Sequence, residues 1–310
     1  MKSPTSLNYE IRPCKFVERK MLLSAFARII PLFKQEYQYI GFGGLSFTDF
    51  KLFHRELHIK EMYSIEGAYT REKIEFNKPY SCIQILCGQS TDMLSQIDLS
   101  KPSIVWLDYD GFLSTDIFKD LEKILMKIPH GSIFLMSCNR QLRKGKDEYT
   151  KKDLEEIFGD LVPVELETNC CADSNASNTI KKMLENDSIN TIKDRNRSFD
   201  NKLKFRTLFN FKYQENRGAK MYSFGGIILN DSYDENELNI EDLGFICSGD
   251  DPYEIDIPNL TFKEANALNQ ILNNEIEENK LVAEGILTKD QIDMYKKFYK
   301  FLPNFYDVRL

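Results

Sequence analysis

The amino-acid sequence predicts an α/β fold in which a parallel sheet ends in an antiparallel β-hairpin, with helical additions at both the N- and C-terminal ends. Three observations predict it. Short apolar runs alternate with stretches of helical periodicity between residues 37 and 138. Two of these runs, CIQILC at 82–87 and SIFLMS at 132–137, are almost wholly apolar, as strands covered on both faces are. Two β-rich runs, LKFRTLFNFKYQ and KMYSFGGIILN, flank a polar turn containing Gly218, which is a hairpin signal.

The elements follow in order. Residues 14–33 carry Phe16, Val17, Leu22, Leu23, Phe26, Ile29 and Ile30 at helical spacing. The first strand is expected at Tyr37–Phe42 and a helix at Ser46–Leu57, where Phe47, Phe50, Phe53 and Leu57 form one stripe. Further strands are expected at Glu61–Ile65, Cys82–Cys87, Ile104–Leu107 and Ser132–Ser137, with a helix at Ser114–Ile128 before the last of them. Residues 140–205 are polar, with helix expected at Lys151–Phe158 and again near 178–186. The tail shows helical stretches at Thr261–Glu278 and Thr288–Phe301, and Thr261 precedes Glu264 at capping-box spacing. The expected organisation is an N-terminal helical segment (1–36), a sheet-bearing domain (37–232) with an insertion at about 140–202, and a C-terminal helical extension (233–310).

Composition bounds the function. The 310 residues are 42% hydrophobic, enough for one substantial core. The net charge of -7 argues against tight non-specific binding to nucleic acid or anionic membranes. Seven scattered cysteines with no Cys-x-x-Cys pair, and only three histidines, predict free thiols in a reducing cytoplasm and no metal site. The apolar stretch Met21–Phe33 is broken by Arg28 and Pro31 and is too short for a membrane span, and no signal peptide is expected.

Four segments carry candidate chemistry. In YIGFGGLSFTDF, Gly41, Gly43 and Gly44 lie between the first strand and helix, where bare backbone and a helix N-terminus approach a ligand. A plain strand-to-helix turn has the same look. Ser46 breaks the Gly-x-Gly-x-x-Gly pattern of dinucleotide sites, and no Walker lysine is present. Glu66 ends the second strand, 25 residues after Gly41, where a carboxylate accepts ribose hydroxyls. After the third strand, Asp92 is the candidate acceptor for an adenine amino group, with Gln89, Ser90 and Thr91 as alternatives and helix capping as the structural explanation. Asp108, Tyr109 and Asp110 precede Gly111 at the carboxyl end of the fourth strand, the edge where open α/β sheets bind ligands.

These segments resemble the class I S-adenosylmethionine-dependent methyltransferases over residues 37–138 and the hairpin at 203–230. The resemblance implies a Rossmann-like sheet whose seventh strand runs antiparallel between the fifth and sixth. It implies S-adenosylmethionine as cofactor, held by Gly41, Gly43, Gly44, Glu66, Asp92 and Asp108, and methyl transfer to an oxygen or nitrogen acceptor. Leu45 stands where a third glycine often sits, and Tyr39 replaces the acidic residue usually found two positions before the first glycine. Asp108 and Gly111 share the spacing of an Asp-Pro-Phe/Tyr-Gly sequence, although Tyr109 and Asp110 differ from its middle.

Asp108 and Asp110 are the candidate catalytic bases, with Asn139 as an orienting group. Three basic stretches (Arg12 to Lys20, Arg140 to Lys146, Lys193 to Arg197) suit a nucleotide or RNA acceptor if they converge and solvated faces if they do not, so a small molecule, a nucleotide and RNA all stay open as acceptors. The aromatics of the C-terminal stretch, Tyr295 to Tyr306, suit docking on the domain or on a protein partner, or base stacking. Two rival functions stand beside the enzyme: a catalytically inactive S-adenosylmethionine-binding or partner-binding module, and a nicotinamide-dependent oxidoreductase, against which Ser46 and the hairpin ending speak.

Overall fold

The computed structural model describes residues 12–198, 201–215 and 218–302. An eight-stranded sheet is built from β1 (Gln38–Gly41), β2 (Glu61–Glu66), β3 (Ile83–Cys87), β4 (Ser103–Phe112), β5 (Ile133–Asn139), β8 (Leu203–Gln214), β9 (Lys220–Asn230) and β10 (Tyr253–Ile255). A separate two-stranded ribbon pairs β6 (Arg143–Lys144) with β7 (Asp147–Glu148). The strand order is β3-β2-β1-β4-β5-β9-β8-β10. All neighbours pair in parallel except β9, which runs antiparallel between β5 and β8. This is the Rossmann-like sheet, with its antiparallel strand, that the resemblance implies. The order reverses beside β1, so the carboxyl ends of β1, β2 and β4 bound a crevice.

Helices cover both faces. Helix α1 (Pro13–Phe33) and α2 (Thr48–Leu57) share one apolar cluster with Tyr39, Trp106, Phe209 and the stretch around Leu238–Phe245. The opposite face is covered by α5 (Thr115–Leu125), α6 (Lys151–Phe158) and α7 (Ala176–Asn196), packed on Val105, Leu107, Phe134 and Met136. Two short helices, α3 (Arg71–Asn77) and α4 (Ser90–Met93), flank β3. At the C-terminal end α8 (Phe262–Ile271), α9 (Glu275–Ala283) and α10 (Lys289–Phe298) enclose a small cluster of Leu268, Leu287, Ile292 and Tyr295.

Several elements differ from the sequence expectation for identifiable reasons. Helix α7 is 21 residues long, well beyond 178–186. Its buried positions mix Ser177, Thr179, Lys181, Ser188 and Thr191 with Ile180, Met183, Leu184 and Ile192, so polar residues interrupt the inward face and mask the hydrophobic period. Helix α3 buries only Ile74 and offers no stripe to detect. The single helix expected over Thr261–Glu278 is two, because Asn273 adopts a left-handed conformation (φ 64°) and Asn274 caps α9 by accepting from the Glu277 amide. The Thr261–Glu264 capping box forms as expected. Tyr295 and Phe298 are buried and Phe301 packs edge-on against Phe245, so these three serve core packing; Phe305 and Tyr306 lie outside the described residues.

The antiparallel strand demands glycine where it is squeezed. A Cβ on Gly225 would lie 2.3 Å from the Phe134 carbonyl oxygen, inside any allowed contact. Gly225→Val should therefore destabilise the protein by about 1–3 kcal/mol or more, the cost of overpacking, visible as a lower urea midpoint; an unchanged midpoint would show that β5 and β9 can separate freely.

Candidate active site

The crevice at the carboxyl edge is a cleft of about 420 Å³, within the range of small-molecule sites. Its walls come from the β1–α2 turn, the end of β2, the β3–α4 turn and the end of β4. Each wall is held by contacts within the protein.

The glycine turn is fixed by the strand beside it. The Gly44 amide donates to Glu66 Oε1 at 2.7 Å, and the Gly43 amide donates to Ser64 Oγ at 3.1 Å. Ser64 Oγ in turn donates to Glu66 Oε1 at 3.0 Å. Glycine is required twice over. Gly44 has φ 55°, and a Cβ on Gly43 would lie 2.6 Å from both the Phe47 ring and Ser64 Oγ. Phe47 itself takes a left-handed conformation (φ 49°), an unusual cost for an aromatic residue, held by burial of its ring against Phe50. Gly41 lies deeper, against the Tyr39 hydroxyl and the Trp106 carbonyl.

Glu66 lines the cleft and is buried. Burial pushes its carboxyl above the ordinary glutamate value of 4.5, while Ser64 and the Gly44 and Gly43 amides pull the other way. On the opposite wall Asp108 is tied to α1. Lys15 Nζ donates to Asp108 Oδ1 at 2.8 Å, pairs with Glu18 Oε2 at 2.8 Å, and sits 4.4 Å above the Trp106 ring. Ser223 donates to the other Glu18 oxygen, shares a 2.7 Å hydrogen bond with Ser137, and Ser137 accepts from Trp106 Nε1 at 3.0 Å. Burial opposes ionisation of Asp108, but the Lys15 and Arg19 charges outweigh it and hold its carboxyl below the usual range. Asp108 is thus a fixed anion and a poor proton acceptor.

Asp110 is exposed at the mouth of the cleft, and desolvation by the cleft wall together with the Asp108 charge raises its pKa. Tyr109 points to the other face, where its hydroxyl donates to Asp120 Oδ2 at 2.6 Å and its ring meets Phe42 edge-on. Ser90 and Thr91 also donate to Asp120, which locks the β3–α4 turn to α5.

The structure does not bring Asp92 to the cleft. It is exposed in the first turn of α4, and the turn presents Gly88, Gln89 and Ser90 to the cleft in its place. Asn139 is also outside the cleft; its side chain accepts from the Gln141 amide at 3.0 Å. Tyr39 is buried in the core against Phe50 and Phe53 and does not line the cleft. The basic stretches do not converge. Lys15 and Arg19 are enclosed by carboxylates, Arg140 pairs with Asp173, and Arg195 donates to the Leu125 and Ile128 carbonyls at the opposite edge of the sheet.

Over residues 7–310 the chain matches a family described as "Putative O-methyltransferase". The chain belongs to this family. No curated protein is detectably similar in sequence. Among solved structures, the chain is similar to Trm1 from Pyrococcus horikoshii in complex with S-adenosyl-L-methionine (8% identity, 72% of this chain and 56% of that one, TM-score 0.45). It is also similar to an O-methyltransferase family protein from Burkholderia thailandensis (11% identity, 70% and 56%, TM-score 0.35). A third is the mitomycin 7-O-methyltransferase MmcR (12% identity, 68% and 53%, TM-score 0.35). The chain therefore spans little more than half the length of these three proteins.

Within this family member, two cleft residues escaped sequence reasoning. Arg19 of α1 and Asp49 of α2 form a buried ion pair that lines the cleft. Arg19 reads as part of a surface basic run, and Asp49 as an ordinary first-turn acid favoured by the helix dipole. Their proximity depends on α1 crossing the sheet edge. The signal available in the sequence was Lys15, Glu18 and Arg19 at i, i+3, i+4, one helical face of alternating charge.

Removing Lys15 would deprive Asp108 and Glu18 of the cation they share. Lys15→Met should cost about 3–5 kcal/mol of stability, measured by urea denaturation. The pair also has a pH signature. Lys15 has a raised pKa, so its contribution is full below its ordinary value of 10.5 and is lost as pH climbs through the raised one. Asp108 has a lowered pKa, so its contribution is full above 3.8 and is lost as pH falls through the lowered one. Stability that is equal in Lys15→Met and the parent protein at neutral pH would remove the network from its structural role.

Proposed function

We propose that this chain transfers a methyl group from S-adenosylmethionine to an oxygen acceptor. The observation that carries the reading is the Glu66–Gly44 link: a strand-end carboxylate and a bare glycine turn are locked together at the rim of the crevice in a methyltransferase sheet. The residues present fit the cofactor. Gly43 and Gly44 offer backbone that a side chain would fill. Glu66 is placed to accept ribose hydroxyls, and Gln89 and Ser90 line the adenine side in place of Asp92.

Charge supports the same ligand. Among the described residues, the cleft is lined by five carboxylates (Asp49, Glu66, Asp108, Asp110 and Asp116) and a single cationic side chain, Arg19. Such a lining attracts a sulfonium and repels a pyrophosphate, which weighs against a nicotinamide dinucleotide.

When bound, the cofactor supplies an activated methyl group on a good leaving group. The chain's own task is then to orient the acceptor, exclude water and take up its proton. Asp110, with its raised pKa and its place at the mouth, is the general base of this reading, whereas Asp108, neutralised by Lys15, orients. The scattered basic residues favour a small-molecule acceptor over RNA. We place the reaction in the cytoplasm, in keeping with seven free thiols. No helix among the described residues is long and apolar enough to cross a membrane.

Calorimetry with S-adenosylmethionine should show one binding site per chain, and Glu66→Ala should weaken it by about 1–3 kcal/mol. No heat of binding in the parent protein would overturn the cofactor assignment. Because Glu66 must be ionised to accept hydroxyls and its pKa is raised, affinity should fall as pH is lowered, beginning above the 4.5 of an ordinary glutamate; Glu66→Gln should flatten that profile. Asp110→Asn should lower methyl transfer by about 10²-fold with binding intact, read as methyl release from labelled cofactor in the presence of small hydroxylated acceptors. Tight binding with no transfer to any acceptor would favour a cofactor-binding module over an enzyme.

A further inference from the structure

A second cavity opens at the same carboxyl edge of the sheet, beyond the ends of β8 and β10. Its volume is about 970 Å³, larger than the crevice and at the upper end of small-molecule sites. Across β5 and β9 the spacing of neighbouring strands puts β8 about 14 Å from β4. The two sites share no lining residue among the described residues. The walls of the second join the first turn of α1, at Pro13 and Cys14, to the 256–261 segment and the C-terminal helices.

Two features of the lining define what it accepts. The first is aromatic. Tyr295 and Tyr299, one helical turn apart at the end of α10, stack with 6.2 Å between ring centroids and 30° between planes. Tyr295 is held in place, because its hydroxyl donates to Asn269 of α8 at 2.7 Å.

The second feature is charge. Glu215, Asp256 and Glu264 bring three carboxylates to the lining, and none of the described lining residues is Lys, Arg or His. Glu215 and Glu264 each accept from a backbone amide, of Lys15 and Thr261, which leaves their charge in place. The lysines at the end of α10 are directed elsewhere. Lys296 pairs with Glu278, and Lys297 lies 3.9 Å over the Tyr253 ring and donates to the Glu254 carbonyl at 3.0 Å. Lys300 stands 5.8 Å from the Tyr299 ring and does not line the cavity. Aromatic faces beside uncompensated carboxylates attract cations and repel anions.

We propose that this cavity is a second small-molecule site, for an organic ammonium ion that carries an aromatic body. The body packs on Tyr295, Tyr299 and Leu302, and the ammonium faces Glu215 and Asp256. The assignment is independent of the cofactor reading. Helix α1 touches both sites, with Cys14 in the wall of this cavity and Lys15 paired to Asp108 in the wall of the crevice.

The test titrates the full chain in calorimetry with phenethylamine and with 3-phenylpropanoate, which has the same body and the opposite charge. Phenethylamine should bind at one site per chain, about 10-fold or more tighter than the carboxylate. Asp256→Asn and Tyr299→Leu should each weaken the amine by about 3-fold or more. The double variant Asp110→Asn, Asp116→Asn, which reduces the charge of the crevice, should leave its affinity unchanged. Asp256 is exposed, so Asp256→Asn reads the charge even if Tyr299→Leu disturbs the helix. No binding of phenethylamine, or equal binding of the two compounds, would overturn the site. So would amine binding that resists Asp256→Asn and fails in the crevice double variant, which would place the amine in the crevice instead.

Discussion

The structure depends on burying the Lys15 ammonium at the carboxyl edge of the sheet. The charge is fully enclosed, and desolvating it is tolerable only because Asp108 and Glu18 stand 2.8 Å away and the Trp106 ring lies beneath it. Glu18 is satisfied further by Ser223, and Ser223 by Ser137, so the network runs from α1 through β9 and β5 to β4. Helix α1 cannot slide by a turn without leaving ions unpaired in the core. Its first turn is pinned as well, where the Lys15 amide donates to Glu215 beyond the end of β8 at 2.9 Å. A helix that precedes the sheet in the chain thereby becomes part of the wall of its cleft.

A similar economy holds the rest of the rim. Glu66 bonds the turn that it faces, and Asp120 gathers the hydroxyls of Tyr109, Ser90 and Thr91 from two loops. The loops above β1, β3 and β4 are thus set in place by the protein's own hydrogen bonds. Preorganisation of this kind spares a bound ligand the entropy of ordering them. The same arrangement separates the roles of neighbouring acids. Asp108, beside Lys15, stays ionised, while Asp110, two residues on and beside Asp108, has a raised pKa. Two carboxylates in one short segment are driven apart because Lys15 pairs with Asp108, while Asp110 is desolvated and faces the Asp108 charge.

Residue order carried the architecture because burial on a sheet leaves a local trace. Strands covered on both faces are apolar runs, and α5 and α2 show apolar stripes, so β1, β2, β3, β5, the hairpin and these helices could be read at nearly their observed limits, whereas β4 runs on past Leu107 to Phe112 through polar residues that carry no such trace. Gly43, Gly44 and Glu66 were legible for a related reason: their positions at strand ends follow from the alternation itself. What local pattern could not show was which polar side chains are buried. Helix α7 hides its length behind Ser177, Thr179, Lys181 and Ser188, and α1 shows as a basic run residues that are ions of the core.

The partners of Lys15 and Arg19 were settled only by packing in three dimensions. Asp108 lies 93 positions from Lys15 in the chain, and Asp49 lies 30 from Arg19. An ion pair of that separation leaves no periodic mark, since each partner alone looks like an exposed charge. The same holds for Asp92, whose helix-start position was readable but whose side of the helix was not. Local chemistry thus specified a sheet, its edge and the turn above it. The charges that face into the crevice were chosen by how α1 crosses that edge, because the sign of a buried site is set by neighbours in space, and spatial neighbours distant in sequence are decided by the fold as a whole.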